Sequence, residues 1–115
     1  MVRKKAEVKR IAKKYGEYLS QIFDDVEIRL FGSYHTGKAK EGSDIDLAVI
    51  SPDLGNMDYL LSLKILNRLK IPIASDIEPI SLSPEEIKKP QLGSIAYSIV
   101  KNSELVYKHK TYKLL

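Results

Sequence analysis

Two segments rich in strand-forming residues, 26–31 and 44–50, constrain the fold of this chain most, because only twelve residues separate them. Val26-Glu27-Ile28-Arg29-Leu30-Phe31 alternates between apolar and charged residues, and the second segment closes at Ser51-Pro52. The connection between them is polar and contains three glycines. The sequence therefore predicts two strands joined by one short, glycine-bearing connection.

Helical and strand patterns follow each other along the rest of the chain. The spacing of apolar residues predicts helices over about residues 3–23, 57–69 and 92–101. A third strand is predicted over residues 75–82, and Ser83-Pro84-Glu85-Glu86 has the serine, proline and glutamate that are typical of a helix start. A short apolar stretch, Leu105-Val106-Tyr107, precedes a basic tail.

The composition is that of a globular protein. With 115 residues, 43% of them hydrophobic and 30% charged, we expect one domain over residues 1–115. No apolar run approaches the roughly 20 residues of a membrane span, and the N-terminus leads into a polar helix, so we expect a cytoplasmic protein. Because cysteine is absent, a metal ion must bind oxygen or histidine ligands, which favours hard cations.

The formal net charge of +4 favours anionic partners such as nucleotides or RNA. Seven of the 19 basic residues lie in the first predicted helix: Arg3, Lys4, Lys5, Lys9, Arg10, Lys13 and Lys14. Two interpretations fit this group. A solvated helix face is the commoner one, and a nucleic-acid-binding patch is the other.

Two aspartates at the start of the second strand are the strongest chemical signal. Side chains alternate across a strand, so Asp44 and Asp46 project from one face while Ile45 and Leu47 enter the core. Two carboxylates held close together repel each other unless a cation lies between them, and oxygen ligands suit Mg²⁺ or Mn²⁺. The spacing therefore indicates a divalent metal site.

A glycine and a serine at the end of the first strand suit a phosphate group. Gly32 allows a ligand to approach the backbone closely, and Ser33 adds a hydroxyl beside free amide groups. If the two strands are neighbours, this turn faces Asp44 and Asp46. A triphosphate can then lie on the turn with its metal on the carboxylates, as in-line phosphoryl transfer requires.

The segment G-S-Y-x-x-G-x-A-x-x-x-S-D-I-D-L resembles the DNA polymerase β-like nucleotidyltransferases, whose signature is Gly-Ser, about ten residues, Asp-x-Asp and a third carboxylate. Ten residues separate Ser33 from Asp44 here. The chain looks like the minimal nucleotidyltransferases, which are often antitoxins paired with HEPN-domain toxins. The resemblance implies an α+β fold, a small mixed β-sheet backed by helices, similar to the polymerase β palm. Only Phe31 to Leu47 carries the specific motif.

The resemblance also implies a function: transfer of a nucleoside monophosphate, expected to be AMP from ATP, to an acceptor hydroxyl. It assigns Asp44, Asp46 and a third carboxylate, here Glu78, to catalysis and metal binding, and it assigns Gly32, Ser33 and the two aspartates to nucleotide binding. We add Lys38 to the predicted nucleotide-binding residues because the connection is basic. Because the chain is too short for an acceptor domain, a protein partner such as a HEPN-type toxin is expected, and an RNA end is less favoured. The alternative is a stoichiometric, antitoxin-like binding protein with a slow nucleotide site.

The connecting segment departs from the family pattern. Relatives often carry arginine at the positions of Tyr34 or Thr36, and both are uncharged here. Either Lys38 or Lys40 replaces that charge, or both are solvated loop lysines; the sequence favours neither interpretation. His35 is interpreted as a surface residue of the loop, because oxygen ligands already suit the metal.

Two residues compete for the role of third carboxylate. Asp76 and Glu78 are two positions apart, so strand periodicity places both on one face and cannot choose between them. The distance to the helix start at Ser83 favours Glu78, whereas relatives with proline three residues after the aspartate favour Asp76. We predict Glu78, with Asp76 as the alternative.

Overall fold

The computed structural model describes residues 2–112; Met1 and the last three residues of the basic tail lie outside the described residues. The helices are α1 (Lys5–Leu19), α2 (Gly32–Thr36), α3 (Pro52–Gly55), α4 (Tyr59–Leu69), α5 (Pro84–Lys88) and α6 (Ile95–Lys101). The strands are β1 (Val26–Phe31), β2 (Ile45–Ile50), β3 (Ile77–Leu82) and β4 (Glu104–His109).

The four strands form one mixed sheet in the order β3-β2-β1-β4. Strand β1 pairs antiparallel with both β2 and β4, and β2 pairs parallel with β3. This confirms the predicted α+β class, and the pairing of β1 with β2 meets the condition under which the glycine turn faces Asp44 and Asp46. The register places Phe31 opposite Asp46, and Asp46 opposite Glu78.

One face of the sheet, which we call the closed face, is covered by α1 and α4. Alternate residues of each strand point into it, including Ile28, Ile45 and Leu47, all fully buried. Burying such side chains contributes about 1.5–3 kcal/mol each. The Tyr15 hydroxyl of α1 donates to the Leu66 carbonyl of α4 at 2.8 Å, which joins the two helices above the sheet.

The opposite face, which we call the open face, is covered over only part of its area. Ala96 and Ile99 of α6 pack there with Ala48, Ile50 and Leu82. Glu78 is exposed and Asp46 half-buried. The helical cover therefore leaves the start of β2 and β3 accessible, and this is where the polar residues lie.

Several element boundaries differ from the predictions. Helix α1 ends at Leu19 instead of residue 23, because residues 20–25 form turns that end at Asp25 with a positive φ of 50°. The third strand begins at residue 77, not 75. The capping box is confirmed, since the Ser83 hydroxyl accepts from the Glu86 amide and the Glu86 carboxylate accepts from the Ser83 amide.

Three elements were not predicted: α2, α3 and β4. Helices of four or five residues show no complete apolar period, so periodicity does not detect them. Strand β4 lies at the edge of the sheet and has no fully buried residue, so its sequence lacks the alternation of a half-buried strand.

The seven basic residues at the N-terminus, in and just before α1, divide into two groups. Lys5 and Lys9 pair with Glu104 of β4 at 3.1 and 2.6 Å, and these bonds, with Lys9 first, lower the pKa of the Glu104 carboxyl. Arg3 pairs with Asp76. The others form no ion pair within residues 2–112: Lys4, Arg10, Lys13 and Lys14. Among the same residues, none of the helices combines the length and apolar character that crossing a membrane needs.

Candidate active site

Gly32 brings the backbone against a carboxylate where β1 turns into α2. Its φ is +72°, a left-handed conformation that favours glycine. A Cβ atom at this position would lie 2.1 Å from the Asp46 Oδ2 atom. No side chain can therefore be added without displacing Asp46, which explains why glycine stands at the end of β1.

Helix α2 supplies the free amide groups that the Gly-Ser pattern predicted in a turn. The first amides of a helix have no partner within the helix, and no side chain caps this one. Ser33 lies in this first turn, and within residues 2–112 its hydroxyl has no hydrogen-bond partner. Gly32 begins this helix and lies against Asp46, so the first turn of α2 is adjacent to that carboxylate. Its free amides can donate hydrogen bonds to phosphate oxygens.

Three carboxylates lie at the same end of the sheet. Asp44 is exposed just before β2, Asp46 is half-buried on β2, and Glu78 is exposed on β3 at the same register as Asp46. Burial raises the pKa of Asp46, and the negative charges of Asp44 and then Glu78 raise it further. In the described part of the chain no lysine, arginine or histidine forms an ion pair with any of the three.

The donor set fits a hard divalent cation in chemistry but is not preassembled. Within residues 2–112 no group of three or more histidine, aspartate or glutamate side chains stands close enough to hold a metal ion. Carboxylates that repel one another and lack a counter-charge are nevertheless the ligands that Mg²⁺ and Mn²⁺ use. The backbone register that sets Glu78 opposite Asp46 is in place, although the side chains do not converge on one point.

Asp76, the alternative third carboxylate, is bound elsewhere. It lies in the turn before β3, where its Oδ2 and Oδ1 atoms accept from Arg3 Nε and Nη2 at 2.9 and 3.3 Å. It is also absent from the charges that shift the pKa of Asp46, among which Glu78 appears. These positions support Glu78 over Asp76 as the carboxylate beside Asp46.

The residues after Ser33 are only partly as expected. Lys38 and Lys40 are exposed, and neither forms an ion pair within the described chain, so both interpretations of these lysines stand. His35 lies in α2 and is half-buried rather than on a loop surface. Its Nδ1 atom is buried without a hydrogen-bond partner in residues 2–112.

Sequence reasoning did not identify Arg3 and Tyr34 as neighbours of the site. Arg3 reaches Asp76, 73 positions away, and its amide donates to the Tyr34 hydroxyl at 3.3 Å. Neither contact is visible in a local pattern. Arg3 stood out only as one of seven basic residues at the N-terminus.

A family model described as a nucleotidyltransferase domain matches residues 12–105, a range that includes α2, both site aspartates and Glu78. The chain belongs to this family. Family membership supports a transferase in general terms. No curated protein matches the chain.

Two solved structures resemble this nucleotidyltransferase domain. A candidate nucleotidyltransferase from Sulfolobus solfataricus is 23% identical, with a TM-score of 0.69 over 97% of this chain and 91% of the other. A toxin-antitoxin structure with AMP-PNP is 20% identical, with a TM-score of 0.50 over 91% of this chain and 73% of the other. At these identities the likeness shows the fold alone, which agrees with the mixed sheet described above.

Proposed function

We propose that this nucleotidyltransferase domain transfers AMP from ATP to a hydroxyl group of a partner protein, with Mg²⁺ or Mn²⁺ as cofactor. The observation that carries the proposal is the close approach of the Gly32 backbone to Asp46, with Asp44 and Glu78 adding charge at the same point. A phosphate-binding backbone and a metal-binding carboxylate cluster then occupy one site, as nucleotidyl transfer requires.

Each residue has a distinct role in this proposal. Asp44, Asp46 and Glu78 would hold the metal, which supplies charge neutralisation for the triphosphate. The first amides of α2 and the Ser33 hydroxyl would orient the phosphates, and Lys38 would add a positive charge. In the reaction an acceptor oxygen bonds to the α-phosphorus, the bond from that phosphorus to the oxygen of the leaving pyrophosphate breaks, and the proton of the acceptor hydroxyl passes to solvent water.

A partner protein is the proposed source of the hydroxyl. The helical cover of the open face leaves Glu78 exposed, so an acceptor can approach from outside. The similar fold of a toxin-antitoxin structure with AMP-PNP supports an adenine nucleotide and a protein partner, and we name a HEPN-type toxin as that partner. An RNA end remains the less favoured acceptor, and the cytoplasm the proposed location.

The test combines nucleotide binding with turnover. Calorimetric titration with ATP should show binding that tightens when Mg²⁺ is added. Incubating the protein encoded by the neighbouring gene with ATP and Mg²⁺ should add AMP units detectable by mass spectrometry. The Asp44→Asn/Asp46→Asn variant should lose at least about 10³-fold in transfer, because it removes the charges that offset the metal, and should still fold.

The second candidate function is stoichiometric masking of the partner. It is favoured by carboxylates that do not converge as they stand and by the uncharged Tyr34 and Thr36. Masking predicts tight binding of an unmodified partner, with equal affinity for the wild type and the Asp44→Asn/Asp46→Asn variant. An AMP adduct that depends on both aspartates would exclude it.

A further inference from the structure

We propose that Arg3 is a positioning residue, which holds β2, β3 and α2 in place through its contacts with Asp76 and Tyr34. We call the three residues Arg3, Tyr34 and Asp76 the N-terminal clamp. Asp76 would then act through its ion pair with Arg3 and not as a metal ligand. The expectation that the clamp strengthens metal binding rests on the function proposed above. The expectation that it orders the backbone at the start of β2 and β3 is independent of that function.

The first observation is the geometry of the ion pair. The Arg3 Nε and Nη2 atoms donate to separate oxygens of Asp76 at 2.9 and 3.3 Å, and Nη1 donates to Glu7 on the first turn of α1. A two-point contact between a guanidinium and a carboxylate fixes orientation as well as distance. The plane of the Asp76 carboxylate is therefore tied to the start of α1.

The second observation is that Asp76 is joined to β2 at the site itself. Its carbonyl accepts from the Ile45 amide at 2.8 Å, and Ile45 stands between the two site aspartates. From the α4 side, Lys70 Nζ donates to the Ile77 carbonyl at 2.7 Å. The side chains of Arg3 and Lys70 therefore hold the beginning of β3, directly before Glu78, which lies opposite Asp46.

The third observation links the same arginine to α2. The Arg3 amide donates to the hydroxyl of Tyr34, a buried residue that directly follows Ser33. A single residue therefore contacts both parts of the candidate site: the element that carries the free amides, and the turn that leads to the third carboxylate.

Packing alone does not fix the Arg3–Asp76 ion pair of the clamp. A cavity of about 390 Å³ lies between the clamp and the loop before Asp44, with Arg3, Tyr34 and Ser43 among its lining residues. Arg3 and Asp76 border this open space, so their ion pair and not packing fixes the orientation of their side chains, whereas Tyr34 is also packed into the core. The ion pair is about one-third exposed, with 34% for each side chain, so its effect on stability should be small while its effect on position is larger.

The experiment compares Arg3→Met, Asp76→Asn and the charge swap Arg3→Asp/Asp76→Arg. Mn²⁺ affinity is measured by electron paramagnetic resonance with ATP present, and hydrogen exchange of the Ile45 amide is measured without ligand. Each single variant should weaken Mn²⁺ binding about tenfold, as loss of a residue that orients metal ligands does, and should speed Ile45 exchange. The swap should restore most of both.

Lys4→Met is the matched control, since Lys4 is adjacent, exposed and without an ion pair in residues 2–112. It should match the wild type in both measurements. Circular dichroism of each variant establishes that it is folded, and Arg3→Lys, which keeps the charge but not the two-point contact, should fall between wild type and Arg3→Met.

Two results would overturn the clamp. If Arg3→Met leaves both Mn²⁺ affinity and Ile45 exchange unchanged, the Arg3 side chain positions nothing, and only its main-chain amide, which methionine keeps, contacts the site through Tyr34. If the swap restores exchange but binds Mn²⁺ no better than Asp76→Asn, Asp76 is a metal ligand, because arginine cannot replace it in that role. Wild-type protein that binds no Mn²⁺ while the exchange pattern holds would contradict the proposed function and leave the positioning intact.

Discussion

The closed and open faces of the sheet share the same strands but differ in what those strands present. On β2, Ile45 and Leu47 are fully buried against the helices of the closed face, whereas Asp46 between them is half-buried and bears a raised pKa. Alternation lets one strand stabilise the fold on one side and hold charge on the other. Substitutions on the two faces should therefore separate stability from activity.

Among the single substitutions that compare the two faces, the largest effect is expected at the open face, from Gly32→Ala. The new Cβ would meet Asp46 Oδ2 at 2.1 Å, so the carboxylate must move. A misplacement of about 1 Å at a catalytic group can cost about 100-fold in rate. We expect a loss of about that size in AMP transfer at saturating metal.

Gly37→Ala is the control that isolates the collision. Gly37 has φ +80°, close to the +72° of Gly32, but a Cβ there would have no atom within 4 Å. Both variants should lose about 1 kcal/mol of stability from the left-handed backbone. Equal activity losses in the two variants would show that backbone strain, and not Asp46, explains the effect.

At the closed face, Gly16→Ala should reduce stability without changing turnover. A Cβ on Gly16 would lie 2.3 Å from the Tyr107 ring, which would push α1 away from β4. Overpacking of this kind costs about 1–3 kcal/mol, offset by about 1 kcal/mol from the better helix propensity of alanine. Chemical denaturation should show a net loss of up to about 2 kcal/mol.

Activity per folded molecule is the second measurement on Gly16→Ala. This activity should equal that of the wild type. The control is Lys13→Ala, at an exposed position of the same helix, which should change neither the stability nor the activity per folded molecule. A loss of transfer in folded Gly16→Ala protein would mean that the two faces are coupled.

The smallest effect is a gain in stability from Asp46→Asn when no divalent ion is present. The pKa of Asp46 is raised in the folded protein, first by burial and then by Asp44 and Glu78. The folded state therefore binds this proton more tightly than the unfolded state, and the ionised carboxylate destabilises the fold at any pH above its folded pKa. That penalty disappears below the unfolded pKa of about 3.9.

Metal-free thermal melts measure this gain. Asp46→Asn should melt above the wild type at pH 7, and the difference should vanish near pH 3. Glu17→Gln, which neutralises an exposed carboxylate on α1, is the control and should melt with the wild type at pH 7. A lower Tm for Asp46→Asn at pH 7 would show that this carboxylate is not destabilising in the folded protein.

Much of the fold was predictable where one short-range pattern governs one element. The alternation in β2 predicted which residues are buried, and the Ser83–Glu86 capping box was found as expected. Edge strand β4 and the short helices were missed, because exposed or single-turn elements carry little periodicity. The third strand was placed two residues too early, so strand periodicity was applied to Asp76 although it lies in the turn before β3.

By itself, the sequence determined the local chemistry: a glycine and a serine at the end of one strand, two aspartates at strand spacing on the next, and the short polar connection between them. Only the tertiary structure decided which distant residues meet. The parallel pairing of β2 with β3 set Glu78 opposite Asp46, and an arginine 73 positions away bound Asp76. Short-range patterns reflect steric and hydrogen-bonding preferences of neighbouring residues, whereas these contacts depend on strand order and register, which arise when the whole sheet buries its closed face.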